Sequence, residues 1–219
     1  MSRQQCVVFD LDDTLVASDS FARLLKHLLR RSPLRLVLVA LTAPAWLLLG
    51  ARSTSRLHAE RVVVWAATVG LHPHRFQAVV RDFAAEHAGD DGGRRIDVTV
   101  QRLKEHLAAE DRVIIATACA EPLAREICRT LGLLNVEIVA STFTTHRWRL
   151  PHAVRARGHR KVQALVEAGI DLPVDHAYSD SLSDLPLLQA ARTAHLVRPS
   201  KRHLPVLRRE LGQDVEVIR

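Results

Sequence analysis

Three observations predict an α/β fold: a parallel sheet interrupted after its first strand by a helical insert. Strand-like and helix-like segments alternate through the second half of the chain, the pattern of a parallel sheet with crossover helices. The opening β-prone run Cys6–Phe9 is followed by a long leucine-rich stretch of helical character rather than by a second strand. A length of 219 residues suits one domain of about 150 residues plus an insert.

Cys6–Phe9 reads as a buried central strand ending at Asp10. Phe21 to Leu49 and Val62 to Leu71 are apolar and helical in character, and Gly89-Asp90-Asp91-Gly92-Gly93 is a cluster of turn formers that marks a boundary. Val98 to Ala109 reads as an amphipathic helix, with Leu103 and Leu107 one turn apart. Val113–Ala116 is a strand, Pro122–Leu131 a helix and Val136–Ala140 a strand. Lys161–Ala168 is a helix with Gly169 as its stop signal. Ala177-Tyr178 ends another strand, Leu185–Ala191 is a helix, and His195–Val197 and Val215–Ile218 are the last strands. Residues 1–15 and 92–219 are thus expected to form the α/β core, and 16–91 a helical cap carrying an apolar hairpin at 36–51.

Composition excludes several classes. Apolar residues make up 47% of the chain, which rules out intrinsic disorder. Three cysteines, Cys6, Cys119 and Cys128, show no CxxC pairing and suit a reducing compartment rather than a disulfide scaffold. The first apolar run meets Asp10, Asp12 and Asp13 at once and does not read as a secretory leader. Lys and Arg number 31 against 24 Asp and Glu, a formal charge of +7, which raises nucleic acid, anionic membrane or phosphorylated ligands as partners. No zinc-finger spacing, RNA-binding aromatic motif or recognition helix supports a nucleic-acid-binding protein. No GxxxxGK[ST] loop supports an NTPase, and the histidines lack zinc-ligand spacing.

The chemistry gathers at predicted strand ends. Asp10-Leu11-Asp12-Asp13-Thr14 begins where the first strand stops, and ligands of open parallel sheets bind outside the carboxyl ends of the strands. A calcium loop fails, because its required Gly would fall at Leu15 and its terminal Glu at Phe21. Thr117 follows the strand Val113–Ala116, Lys161 opens a helix after Gly158-His159-Arg160, and Asp180 and Asp184 follow the strand ending at Tyr178. Each has a plainer reading: a solvated turn for the first acids, an N-cap for Thr117, Ser183 or Asp184, a surface lysine for Lys161. Their joint placement at the ends of strands in one sheet favours a site.

The order Asp10-x-Asp12-x-Thr14, Thr117, Lys161, Asp180-x-x-x-Asp184 resembles the haloacid dehalogenase superfamily of phosphatases, and the insert stands where that superfamily carries a helical cap on its Rossmann-like core. The resemblance implies a carboxylate nucleophile, which splits phosphomonoester hydrolysis into two easier steps through an acyl phosphate. It gives Asp10 that role, and Asp12 that of general acid and then base. It also implies Mg²⁺ held by Asp10, Asp180 and the Asp12 backbone carbonyl, with Asp184 acting through water or on Lys161. Thr117 and Lys161 would bind phosphoryl oxygens, and Thr14 joins the substrate-binding set. Dehalogenases of the superfamily lack the acid at Asp12, which argues against carbon–halogen cleavage. Ala118 departs from the Gly found in many relatives.

The run Leu36–Ala51 carries no charge and is flanked by Arg30, Arg31 and Arg35 before it and Arg52 and Arg56 after it. As a helix it would span about 24 Å, short of the roughly 30 Å hydrocarbon core, and Pro44 would bend it. Asp10 precedes the run and Thr117, Lys161 and Asp180 follow it, so a single crossing would split the site across the membrane. The expectation is a hairpin dipping into one leaflet, with arginines at anionic headgroups on the cytoplasmic side; the competing reading is a buried hairpin of a soluble cap. Leu28-Leu29-Arg30-Arg31-Ser32-Pro33-Leu34, the apolar run, Arg155 and Gly158-His159-Arg160-Lys161 together look like the phosphatidylglycerophosphatase C family. That resemblance implies phosphatidylglycerophosphate as substrate, with Arg155 and Arg149 facing the headgroup. The alternative is a small phosphomonoester, as in phosphoserine phosphatases. Asp19 is read as a helix cap rather than a substrate contact.

Overall fold

The computed structural model describes residues 3–49, 62–144, 152–154 and 157–219. Strands β1 (Cys6–Phe9), β2 (Arg112–Ala120), β3 (Glu137–Thr144), β4 (His152–Val154), β5 (Val174–Ser179), β6 (Ala191–Val197) and β7 (Glu216–Ile218) form one sheet in the order β4-β3-β2-β1-β5-β6-β7. Six strands run parallel; β4 joins the edge antiparallel to β3. The chain leaves β1 for β2 on one side and later crosses to β5 on the other, so β1 lies at the topological switch point where such sheets bind ligands.

Side-chain alternation divides the core into two layers. Val7 and Phe9 of β1 join Val113 and Ile115 of β2 on one face; Val8, Ile114 and Ala116 point to the other. The first face is covered by helices α1 (Ser20–Arg30), α4 (Pro73–Ala88), α5 (Asp97–Ala108) and α6 (Glu121–Thr130), the second by α7 (His159–Glu167), α8 (Leu185–Gln189) and α9 (Leu204–Leu211). Leu24, Leu28, Phe76, Val80 and Phe83 from the inserted helices are buried in the same cluster as β1 and β2, so insert and sheet share one apolar core. Each such fully buried side chain contributes about 1.5–3 kcal/mol of transfer free energy.

Helix α1 starts at Asp19, whose carboxylate accepts from the Ala22 N–H, the N-cap read from the sequence. Helix α2 (Pro33–Leu49) continues through Pro44, and residues 62–68 form α3. The far part of the expected hairpin, residues 50–51, lies outside the described residues. The start of α2 is not core: Leu34 and Leu41 are 70% and 73% exposed, and Leu36 and Val37 are also exposed. A hairpin buried in a soluble cap therefore does not describe this part of the helix. Among the described residues, no helix is long and apolar enough to cross a membrane.

Several elements differ from expectation. β2 runs beyond Ala116 to Ala120, with a register shift between Thr117 and Ala120. α9 was not anticipated, although Leu204, Leu207 and Leu211 at helical spacing before Gly212 carry its signal. β4 is three residues long, too short for any alternation to show.

Candidate active site

The carboxyl ends of β1, β2 and β5 and the start of α7 converge on a cleft of about 180 Å³. Asp10 ends β1 and its N–H donates to the Tyr178 carbonyl at 2.9 Å, which ties the loop after β1 to β5. Leu11, Leu15 and Val16 are fully buried and anchor the turn between them, with Asp13 at φ 56°, a left-handed value that Asp tolerates better than most residues. The turn directs Asp10, Asp12 and Asp13 into the cleft.

Lys161 organises the carboxylates. Its Nζ donates to Asp10 Oδ1 at 2.8 Å and to Asp184 Oδ2 at 2.6 Å, and the lysine is 2% exposed. Burial alone would lower the amine; Asp10 and Asp184 outweigh it and hold Lys161 above its ordinary value. A cation so placed is not a surface lysine, because isolated burial of the charge would cost several kcal/mol. Gly158 makes the approach possible: its φ of +61° is disfavoured for residues with a Cβ, and its carbonyl accepts the Lys161 N–H as α7 begins.

Asp184 occupies the N-cap position of α8 but makes no capping bond; its Oδ2 also accepts from Ser179 Oγ at 2.9 Å. Thr117 does not cap α6 either, whose N-cap is Ala120. Its Oγ1 accepts from the Cys119 N–H at 3.0 Å, leaving the hydroxyl proton to be donated elsewhere. Ala118, where the resemblance implies Gly, has its carbonyl held by Ser141 Oγ, which donates to it at 2.9 Å. Cys119 also lines the cleft, but burial pushes its thiol well up, so it is no thiolate nucleophile.

Burial shapes the acids. It pushes Asp12 up to about 7, against the pull of a Ser20 hydrogen bond and with the Asp10 charge adding to it. Asp180 is likewise raised to about 7, by burial first and then by the charges of Asp10, Asp13 and Asp184. Asp10 is raised by burial and drawn back by Lys161. Asp10, Asp12, Asp13, Asp19, Asp180 and Asp184 line the cleft, against Arg157 and Lys161 as the cations among the described residues. That excess of carboxylate would repel a phosphate ester, and it is a hard-oxygen donor set suited to Mg²⁺, which takes one or two carboxylates and keeps water or substrate oxygens. Asp180 makes no ion pair among the described residues, and with Asp10 it could hold the cation. No three His, Cys, Asp or Glu side chains among the described residues converge as a preformed metal cage.

Asp10, Asp12, Thr117, Lys161, Asp180 and Asp184 thus lie around one cleft. Thr14 does not join them: it is fully buried, outside the cleft lining, and its hydroxyl has no hydrogen-bond partner among the described residues. Arg149 and Arg155 lie outside the described residues. Sequence reasoning missed Arg157, which lines the cleft with its Nε 3.4 Å from Ser183 Oγ, and Ser179, which stands beside Asp180 in the motif. It also missed Ser20 and His87. The Ser20 N–H donates to Asp12 Oδ1 at 3.0 Å, and Ser20 Oγ lies 3.1 Å from His87 Nε2.

A family model for haloacid dehalogenase-like hydrolases matches residues 7–189, from β1 through α8, and so takes in every side chain just described. The chain belongs to the haloacid dehalogenase-like hydrolase family. It is 31% identical over 226 residues to phosphoserine phosphatase SerB1 of Mycobacterium tuberculosis, a match covering 96% of this hydrolase and 70% of the relative. With relatives of that name, it is an enzyme of the phosphatase kind. The fold is also that of a protein of unknown function from Bordetella pertussis Tohama I (TM-score 0.70, 18% identity, 99% of each chain covered). A substrate-bound phosphoserine phosphatase has it too (TM-score 0.59, 14% identity, 100% of this chain and 94% of that one).

Proposed function

We propose that this hydrolase is a Mg²⁺-dependent phosphomonoesterase that works through an aspartyl phosphate on Asp10 and acts on a small phosphorylated metabolite. The observation that carries the reading is the Lys161 bridge, which fixes the Asp10 carboxylate in the cleft through its Oδ1. Asp12, raised to about 7, keeps a proton near neutral pH to give to the leaving oxygen, and then takes one from the water that cleaves the acyl phosphate. Thr117 Oγ–H and Lys161 supply donors to phosphoryl oxygens, where charge spreads in a loose transition state. A bound Mg²⁺, held by Asp10, Asp180 and the Asp12 carbonyl, would neutralise the surplus carboxylates and draw the phosphate in. Residues 16–91 act in this reading as a cap on the core formed by 1–15 and 92–219.

A cleft of about 180 Å³ is below the roughly 300 Å³ at which pockets for drug-sized ligands begin, which supports a small ester such as the phosphoserine named for the relatives. A second reading, phosphatidylglycerophosphate at the cytoplasmic membrane face with the enzyme peripheral or monotopic there, is favoured by one observation: the exposed Leu34, Leu36, Val37 and Leu41 of α2. The test is phosphate release from phosphoserine, glycerol phosphates and phosphatidylglycerophosphate, with and without Mg²⁺. Preference for a water-soluble ester supports the first reading, and preference for the lipid replaces it with the second. No release from any phosphomonoester by folded protein with Mg²⁺ would overturn both.

A further inference from the structure

On the far side of Ser20 from the catalytic cleft lies a second concavity of opposite charge. It is lined by Arg23, Lys26, Arg30 and Arg31 of α1 and its C-terminal end, and by Arg94. Among the described residues Glu86 is the only carboxylate in its lining, and it forms no ion pair with any of these cations. None of the five cations has a carboxylate partner within ion-pair distance among the described residues, whereas Arg95, next in the chain, pairs with Asp90 and Asp97.

Helix chemistry does not account for the cluster. Arg23, Lys26, His27 and Arg30 follow i, i+3, i+4, i+7 spacing and share a helix face, where like charges repel at some cost to the helix. Arg30 and His27, in the last turn, suit the negative end of the helix dipole. Arg23, in the first turn, is on the wrong end for that. Two histidines report the surroundings independently. The Nε2 of His27, which lines the concavity, is buried and without a hydrogen-bond partner among the described residues. His87, 4% exposed and stacked on Phe83 at 5.1 Å, is held neutral by burial and by the charges of Arg94 and Arg23.

We propose that this concavity is a second anion site, separate from the catalytic cleft, that takes a phosphate group. Three guanidinium groups on α1, a lysine and Arg94 offer forked donors matched to phosphate oxygens, and a dianion offsets more of the repulsion than a carboxylate could. The phosphate could be free in solution or belong to a lipid headgroup; the exposed apolar residues of α2 begin at Leu34, three positions after Arg31.

The test is calorimetric titration of the Mg²⁺-loaded full chain with inorganic phosphate, alongside sedimentation with phosphatidylcholine vesicles with and without phosphatidylglycerol. Wild type is compared with Arg23→Gln/Arg30→Gln/Arg94→Gln. Phosphate inhibition of p-nitrophenyl phosphate hydrolysis reports the catalytic cleft separately and is expected to be unchanged. A phosphate isotherm weakened at least about tenfold in the variant supports the site with a soluble ligand. Loss of phosphatidylglycerol-dependent sedimentation alone supports it with a headgroup. Equal phosphate and vesicle binding by both folded proteins overturns it. Should the triple variant not fold, the exposed pair Lys26→Gln/Arg30→Gln is read in the same way. The binding isotherm does not depend on turnover, so an enzyme inactive on every phosphomonoester would leave this result standing.

Discussion

The catalytic cleft and the α1 concavity invert each other's electrostatics across a single residue. Ser20 is fully buried; its N–H reaches Asp12 at the acidic cleft and its Oγ meets His87 at the basic concavity. In the cleft, burial raises Asp10, Asp12 and Asp180, and one internal cation ties Asp10 to Asp184. On α1, like charges stay at the surface, where water screens them and no partner is needed for folding. The difference teaches that a charge cluster inside the protein must carry its own counter-ion, whereas one at the surface can wait for a ligand.

The largest expected effect separates the two at the level of chemistry. Asp10→Asn should lower phosphomonoester hydrolysis at least about ten-thousandfold, since an amide cannot form the acyl phosphate. Phosphate binding at α1 should survive, which steady-state kinetics and calorimetry would check. Next comes the pH profile. Asp12 must be protonated to act as acid, so kcat/KM should fall as pH rises through about 7. Asp12→Asn should abolish that limb and cost about 10²–10⁴ in rate.

A cation deletion in each region sharpens the comparison further. Lys161→Met leaves Asp10 and Asp184 facing each other in the interior and should destabilise the fold by about 3–5 kcal/mol in urea unfolding. Lys26→Met, on the exposed face of α1, should shift stability by less than about 0.5 kcal/mol.

The last comparison is a pair of opposite pH slopes. Asp180 is raised from 3.8 to about 7. Its contribution to stability is therefore complete below pH about 4 and lost as pH rises towards 7 in metal-free protein. His87 is lowered from 6.5 to about 4, so its contribution is complete above pH about 6.5 and lost as pH falls through 4. Urea midpoints measured across pH in EDTA should show the first slope reduced in Asp180→Asn, with Asp10 and Asp12 keeping the rest, and the second reduced in His87→Gln.

The acidic half of this comparison was legible in sequence because each carboxylate adjoins a strand end that announces itself. Three short apolar runs, read with the rule that ligands meet parallel sheets at their carboxyl ends, place Asp10, Thr117 and Asp180 near one another. Of the basic half only Arg30 and Arg31 were read, as flanks of the apolar run; Arg23, Lys26 and Arg94 were not, because a charged helix face is ordinarily just solvated. Ser20 and His87 lie 67 positions apart, and no short motif contains a hydrogen bond of that span. Thr14 failed for the opposite reason: it sits inside the motif, but the turn that presents Asp10, Asp12 and Asp13 buries its side chain.

By itself the sequence determined the alternation of elements and which residue types could carry out phosphoryl transfer, because these follow from local periodicity and from side-chain chemistry. Only the tertiary structure decided that Lys161 joins Asp10 to Asp184, that Asp12 and Asp180 titrate near neutrality, and that Arg157 lines the cleft. Those outcomes depend on burial and on contacts between distant segments: a carboxylate's charge, and a lysine's partner, are properties of what the fold packs around them.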